Sequence, residues 1–123
     1  MINLKFKNSL LFCELDININ GQLLHLNNVL IDTGSATTLI NSDYVSLDGS
    51  EEFINIYGVG GYEAVLNKHF NTIIINDISI NDTIISVGEL DYGIDIDMLL
   101  GLDLLQKLNA NLNIKDMTLA FII

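Results

Sequence analysis

The amino-acid sequence predicts an all-β fold, a small β-barrel or sandwich with one short helix near the C-terminus. Extended apolar segments recur about every eight to twelve residues, and Asn, Asp and Gly separate them. Only one segment has helical periodicity. Of the 123 residues, 50% are hydrophobic, which is enough for the core of a single domain over residues 1–123.

Five strands are predicted in the first half of the chain, and a polar loop at 46–52 precedes the last of them. Their ranges are 4–7, 10–19, 22–31, 37–40 and 53–57. The dipeptide Asn20-Gly21 predicts a tight hairpin between the second and third strands. The alternating pattern of the first strand and the β-branched residues of the fourth are typical of strands.

Further strands and the helix are predicted in the second half. The strands are 62–66, 70–75, 83–87, 112–114 and 117–123, and the helix is 102–108. Turns are predicted at Asn76-Asp77, Asn81-Asp82 and Lys115-Asp116, because these residues are common turn formers. The last strand is almost wholly apolar, so it must lie inside a sheet or be covered by a second subunit.

Composition excludes several classes of function. The formal net charge is −11 and the cations are five lysines, which argues against binding to nucleic acid or to anionic membranes. Cys13 is the single cysteine and is expected in a packed core, and no spacing of His and Cys suggests a metal site or a cofactor. With no signal-peptide pattern and no apolar run of membrane-helix length, the expected compartment is the cytoplasm.

A carboxylate follows directly on an apolar strand in the segment Leu30-Ile31-Asp32-Thr33-Gly34-Ser35. Burying a carboxylate is costly without partners, so a function for Asp32 is expected. An Asp-Thr-Gly turn can also end an ordinary strand. The segment nevertheless resembles the active-site motif of aspartic proteases, with Asp32 in the catalytic position.

Two further motifs follow in the order found in retropepsins, the single-lobe aspartic proteases. The glycine-rich segment Tyr57-Gly58-Val59-Gly60-Gly61 resembles the flap, and Leu99-Leu100-Gly101 resembles the segment that supports the active-site loop before the last helix. The resemblance covers most of the chain. It implies a small closed β-barrel of retropepsin (acid protease) type and an aspartic endopeptidase without cofactor.

The resemblance also implies a homodimer, because the chain has a single Asp-Thr-Gly and the reaction needs two carboxylates. Interlaced terminal strands would form the dimer interface. Thr33 would bond to the partner's loop, Gly34 would allow close approach of the substrate backbone, and Ser35 would bond near the carboxylate. The substrate would be an extended peptide or protein beneath the flap.

The chain departs from the retroviral pattern at one pair of positions. Retroviral members usually have an acid two residues after the active-site glycine and an arginine after the later glycine. Ala36 and Leu102 occupy these positions here, which favours a non-viral branch.

Other interpretations remain open beside the protease. The same fold could serve as a dimerisation or peptide-binding module with little or no turnover, or as a regulated enzyme that is monomeric until concentrated or bound. A phosphate-binding loop at 58–61 is disfavoured because a strand-like segment follows it. The acids Asp91, Asp95 and Asp97 lack the spacing of a calcium loop, and His25 and His69 are isolated in sequence.

Overall fold

The computed structural model describes residues 1–58, 61–90 and 93–122. The chain is mostly β, as predicted. The strands are β1 Ile2–Asn3, β2 Lys5–Lys7, β3 Leu10–Ile19, β4 Gln22–Ile31, β5 Leu39–Asn41, β6 Glu52–Gly58, β7 Gly61–Ile75, β8 Ile78–Gly88, β9 Met98–Leu100, β10 Ala110–Asn113 and β11 Thr118–Phe121. One short α-helix, α1 Leu102–Lys107, lies in the described part of the chain, together with a 3₁₀ turn at Ser42–Tyr44. No helix there is both long and apolar enough to cross a membrane.

The larger sheet has eight strands in the order β2-β3-β4-β9-β5-β8-β7-β6. An additional antiparallel pairing joins β3 to β7, with Ile17 opposite Ile75 and Ile19 opposite Ile73. This pairing connects the two ends of the run from β3 to β7, so the hydrogen-bonded order of these strands is ring-like. Ile17, Ile73 and Ile75 have no exposed surface, because they belong to the main hydrophobic core.

The predicted turns form at Asn20-Gly21, Asn76-Asp77 and Lys115-Asp116, whereas the fourth does not. Asn20 and Gly21 have φ of 52° and 79°, and Asn76 and Asp77 have φ of 45° and 70°, the left-handed values that tight hairpins require. The predicted turn at Asn81-Asp82 is wrong. Asp82 has φ of 53° but lies inside the continuous strand β8.

Two predicted strands, 62–66 and 70–75, are one fifteen-residue strand, β7. The strand continues because it has partners along its whole length, β6 beside its first half and β8 beside its second. Lys68 and His69, which lie between the two predicted strands, pair in register with Ile85 and Ile84. Pairing across the sheet therefore outweighs local composition here.

A smaller sheet has the order β1-β11-β10. The apolar strand β11 is its central strand, with Leu119 opposite Ile2 on one side and Leu112 on the other. Leu119 is fully buried. Both edges of β11 are thus occupied by strands of its own chain.

Cys13 lies in the core, as expected, with 1% of its surface exposed. Burial, and to a smaller degree the charge of Glu14, raises the pKa of the thiol to about 12. The thiolate is the reactive form of cysteine, so this thiol is unreactive near neutral pH.

His25 on β4 is held between two carboxylates of β3. Its Nδ1 lies 2.6 Å from Asp16 Oδ1 and its Nε2 lies 2.8 Å from Glu14 Oε1. The hydrogen bonds to Asp16 and then to Glu14 raise the pKa of His25 above its ordinary 6.5. The hydrogen bond from His25, followed by that from Lys5, lowers the pKa of Glu14 below its ordinary 4.5.

We expect His25→Gln to destabilise the protein at about pH 6 more than at pH 9. The raised pKa means that the folded state binds the proton more tightly than the unfolded state. The contribution is therefore complete below about pH 6.5 and disappears as the pH rises through the raised pKa. Urea unfolding at the two pH values measures the effect, and an equal loss of stability at both would contradict it.

Candidate active site

The Asp32 loop, residues 32–38, connects two strands that lie on opposite sides of β9. Strand β4 runs parallel to β9, with Leu30 opposite Leu99, and β5 runs antiparallel to it, with Leu39 opposite the same Leu99. Because β4 ends and β5 begins at the C-terminal end of β9, the loop must cross over that end. Gly101 lies there, as the predicted supporting segment requires.

Backbone hydrogen bonds seat the Asp32 loop on the chain that follows β9. Asp32 N donates to Leu100 O at 3.0 Å, and Leu102 N donates to Ser35 O at 2.8 Å. Ser35 N also donates to Asp32 O at 3.3 Å, which closes a turn within the loop. These bonds fix the backbone of Asp32 against the sheet.

Gly101 is in such close contact with the loop that no side chain fits. A Cβ atom at this position would lie 2.4 Å from Thr37 O and 2.6 Å from the Thr37 carbonyl carbon. Real Cβ atoms essentially never approach another atom this closely, and backbone cannot rotate aside as a side chain can. The glycine is therefore required by the approach of the loop backbone.

The Asp32 carboxylate lies directly after the end of β4, where the chain leaves the sheet. Gly34 N donates to Asp32 Oδ1 at 2.9 Å, which orients the acid. Asp32 is partly buried, whereas Thr33 and Gly34 are exposed. An oriented carboxylate that solvent can still reach can act as a base toward a water molecule.

Ser35 has a different contact from the one that the resemblance implied. Its Oγ donates to Thr37 O at 2.8 Å rather than to the Asp32 carboxylate. The hydroxyl thus stabilises the shape of the loop. In the chain by itself, the orientation of Asp32 comes from Gly34 N instead.

Thr38 and Asp103 belong to the site and were missed by the sequence analysis. Thr38 is fully buried, its N and Oγ1 donate to the Asp103 carboxylate, and its Oγ1 accepts a hydrogen bond from Gly101 N. Two features of the sequence could have indicated them. A polar residue heads the buried strand after the loop, and an acid lies in the first turn of α1, two residues after Gly101.

The predicted flap lies at a hairpin between β6 and β7. Tyr57 and Gly58 end β6 and Gly61 begins β7, with Gly58 opposite Gly61. Val59 and Gly60 lie outside the described residues. A second hydrophobic cluster contains residues from the hairpin and from the strands beside the Asp32 loop, so the two are joined by packing. It includes Ile54, Val65, Leu30, Leu39 and Leu99.

An apolar groove of about 380 Å³ adjoins the Asp32 loop. This Thr33 groove is lined by Thr33, Leu102, Leu105, Gln106, Ala110 and Leu112. Leu102 occupies the position at which the retroviral pattern has an arginine. Its side chain is 47% exposed. A separate cavity of about 500 Å³, lined by polar residues including Asp43, Tyr44 and Asp97, lies beyond β5.

The residues described contain no group of three His, Cys, Asp or Glu side chains placed to hold a metal ion. Asp97, one of the acids considered for calcium, has protein partners: Tyr44 Oη donates to its Oδ1 at 2.7 Å and Asn28 N to its Oδ2 at 2.9 Å. The hydrogen bond to Asp97 is the main cause that raises the pKa of Tyr44 to about 12.

No protein-family model matches the chain, and no curated protein matches it at a significant level.

Proposed function

We propose that the protein is a cytoplasmic aspartic endopeptidase of the retropepsin type, in which Asp32 residues of two subunits share one proton. The single observation that carries the proposal is the seating of Asp32. A half-exposed carboxylate is held by Gly34 N, on a loop whose backbone is packed directly against Gly101. That rigidity is what a reacting acid needs, because its position decides the rate.

The proposed chemistry requires two carboxylates with different protonation states. One takes a proton from water while the other, protonated, polarises the peptide carbonyl. Two carboxyl groups about 3 Å apart cannot both ionise, a behaviour known for aspartic proteases in general, so the pair shares a proton. The hairpin of β6 and β7 would cover an extended peptide or protein substrate.

The second subunit would approach along the Thr33 groove and the neighbouring edge of β10. Among the described residues, β10 pairs with β11 only, so its other edge is free to pair with β10 of a second copy. The groove includes Thr33, the residue after Asp32, so a partner seated there would bring its own loop close to Asp32. In this dimer, β11 of each chain would remain in the sheet of its own chain and would not be exchanged.

We expect Leu102→Asp to weaken the dimer by about tenfold to a hundredfold, since it places an unpaired charge in an apolar contact. Sedimentation across a concentration series measures the dissociation constant. Leu23→Asp is the matched control, because Leu23 is 74% exposed and lies on β4, outside the groove. A dimer equally strong in both variants would place the interface elsewhere.

The proposed activity is tested by incubating the purified protein with a mixed peptide library, with and without a statine-type transition-state mimic. We expect cleavage that the mimic blocks, between about pH 5 and pH 7, the range in which a shared proton can persist above the ordinary carboxyl values. Peptides that bind without being cleaved would instead indicate a binding module.

A further inference from the structure

We infer that Asp103, acting through Thr38, is a positioning residue for Asp32; the inference rests on the proposed function. Both oxygens of the Asp103 carboxylate bind the residue that ends the Asp32 loop. Oδ1 accepts from Thr38 Oγ1 at 2.6 Å, and Oδ2 accepts from Thr38 N at 3.1 Å. Hydrogen bonds to an ionised acceptor are roughly twice as strong as neutral ones.

The same pair of residues also holds the chain beneath the loop. Gly101 N donates to Thr38 Oγ1 at 3.0 Å, and Leu104 N donates to Asp103 Oδ1 at 2.7 Å. Thr38 therefore uses its hydroxyl as donor and acceptor at once, and Asp103 joins the first turn of α1 to the loop.

The Asp32 loop is thereby anchored at both of its ends. Asp32 N is bound to Leu100 O at the first end, and Thr38 is bound to Asp103 and Gly101 at the second. The loop is in direct contact with Gly101, because a Cβ atom at this glycine would lie 2.4 Å from Thr37 O. A shift at Thr38 would therefore move the backbone that carries Gly34 N, the donor to Asp32 Oδ1.

The decisive variants are Thr38→Val, which keeps the shape and removes the hydroxyl, and Thr38→Ser, which keeps the hydroxyl. On a peptide that the wild type cleaves, we expect Thr38→Val to lower kcat by about a hundredfold, the loss typical of a displacement of about 1 Å, with a much smaller change in KM. Thr38→Ser should retain most of kcat. Asp77→Asn, which removes one charge at an exposed turn, is the control and should match the wild type.

Should Thr38→Val not fold, Asp103→Leu decides in its place. This variant keeps a branched side chain of similar shape but has no oxygen to accept either Thr38 hydrogen bond. A folded dimer of either variant with the kcat of the wild type would overturn the inference. So would a Thr38→Ser protein as impaired as Thr38→Val, because then the hydroxyl is not what matters.

A measurement that needs no turnover separates this inference from the proposed function. The NMR shift of the Gly34 amide reports its hydrogen bond to Asp32, and amide exchange at Gly101 reports the bond to Thr38. We expect both to change in Thr38→Val and to stay near the wild type in Thr38→Ser. A wild type that cleaves no peptide would refute the protease, whereas unchanged amides in Thr38→Val would refute the anchor.

Discussion

Asp32→Asn is expected to lower kcat/KM by about a thousandfold or more, the upper part of the range for lost acid–base catalysis, with the fold and the dimer preserved. The amide has the shape of the acid, and its oxygen can still accept the hydrogen bond from Gly34 N. It cannot ionise and so cannot share a proton with a second carboxylate. Only the chemistry should therefore be lost.

The measurement is a rate assay on a cleaved peptide, with dimer content determined by sedimentation in the same samples. Asp77→Asn is again the charge-matched control and is expected to cleave normally. An Asp32→Asn protein that is folded, dimeric and as fast as the wild type would remove Asp32 from the mechanism.

Gly101→Ala is expected to lower the free energy of unfolding by about 3 kcal/mol or more, the upper part of the range for overpacking. The added methyl would lie 2.4 Å from Thr37 O, and it could be accommodated only by lifting the loop or moving β9. Either movement breaks hydrogen bonds that seat Asp32. Activity should therefore fall together with stability.

Gly88→Ala provides the comparison for Gly101→Ala. A Cβ at Gly88 would meet the Val65 side chain at 3.3 Å, and a side chain can move by a few tenths of an ångström at little cost. Urea unfolding of the two variants should separate them clearly. If Gly101→Ala were as stable and as active as Gly88→Ala, the close packing of the loop would have no functional importance.

The features that depend on a few residues adjacent in sequence were predicted well. Asn20-Gly21 and Asn76-Asp77 form hairpins because their left-handed φ values are properties of a few adjacent residues. The same reasoning failed at Asn81-Asp82, where β7 continues alongside and keeps β8 extended. The mostly β character and α1 follow from periodicity, which is also local.

The site could be predicted only in part for the same physical reason. The Asp-Thr-Gly motif and the segment ending at Gly101 could be picked out because they resemble motifs of the retropepsins. The bond between Thr38 and Asp103 joins residues 65 positions apart, and no local pattern states that they meet. Likewise, the alternatives for β11 could be separated only once its neighbours β1 and β10 were seen.

The insertion of β9 between β4 and β5 has a consequence for the order of events during synthesis. Asp32 and its whole loop leave the ribosome early, but Leu99, Gly101 and Asp103, which seat the loop, follow more than 60 positions later. At about 5–20 residues per second, the unseated interval lasts seconds. A nascent chain that has not reached α1 therefore carries Asp32 on a loop that lacks its supporting contacts.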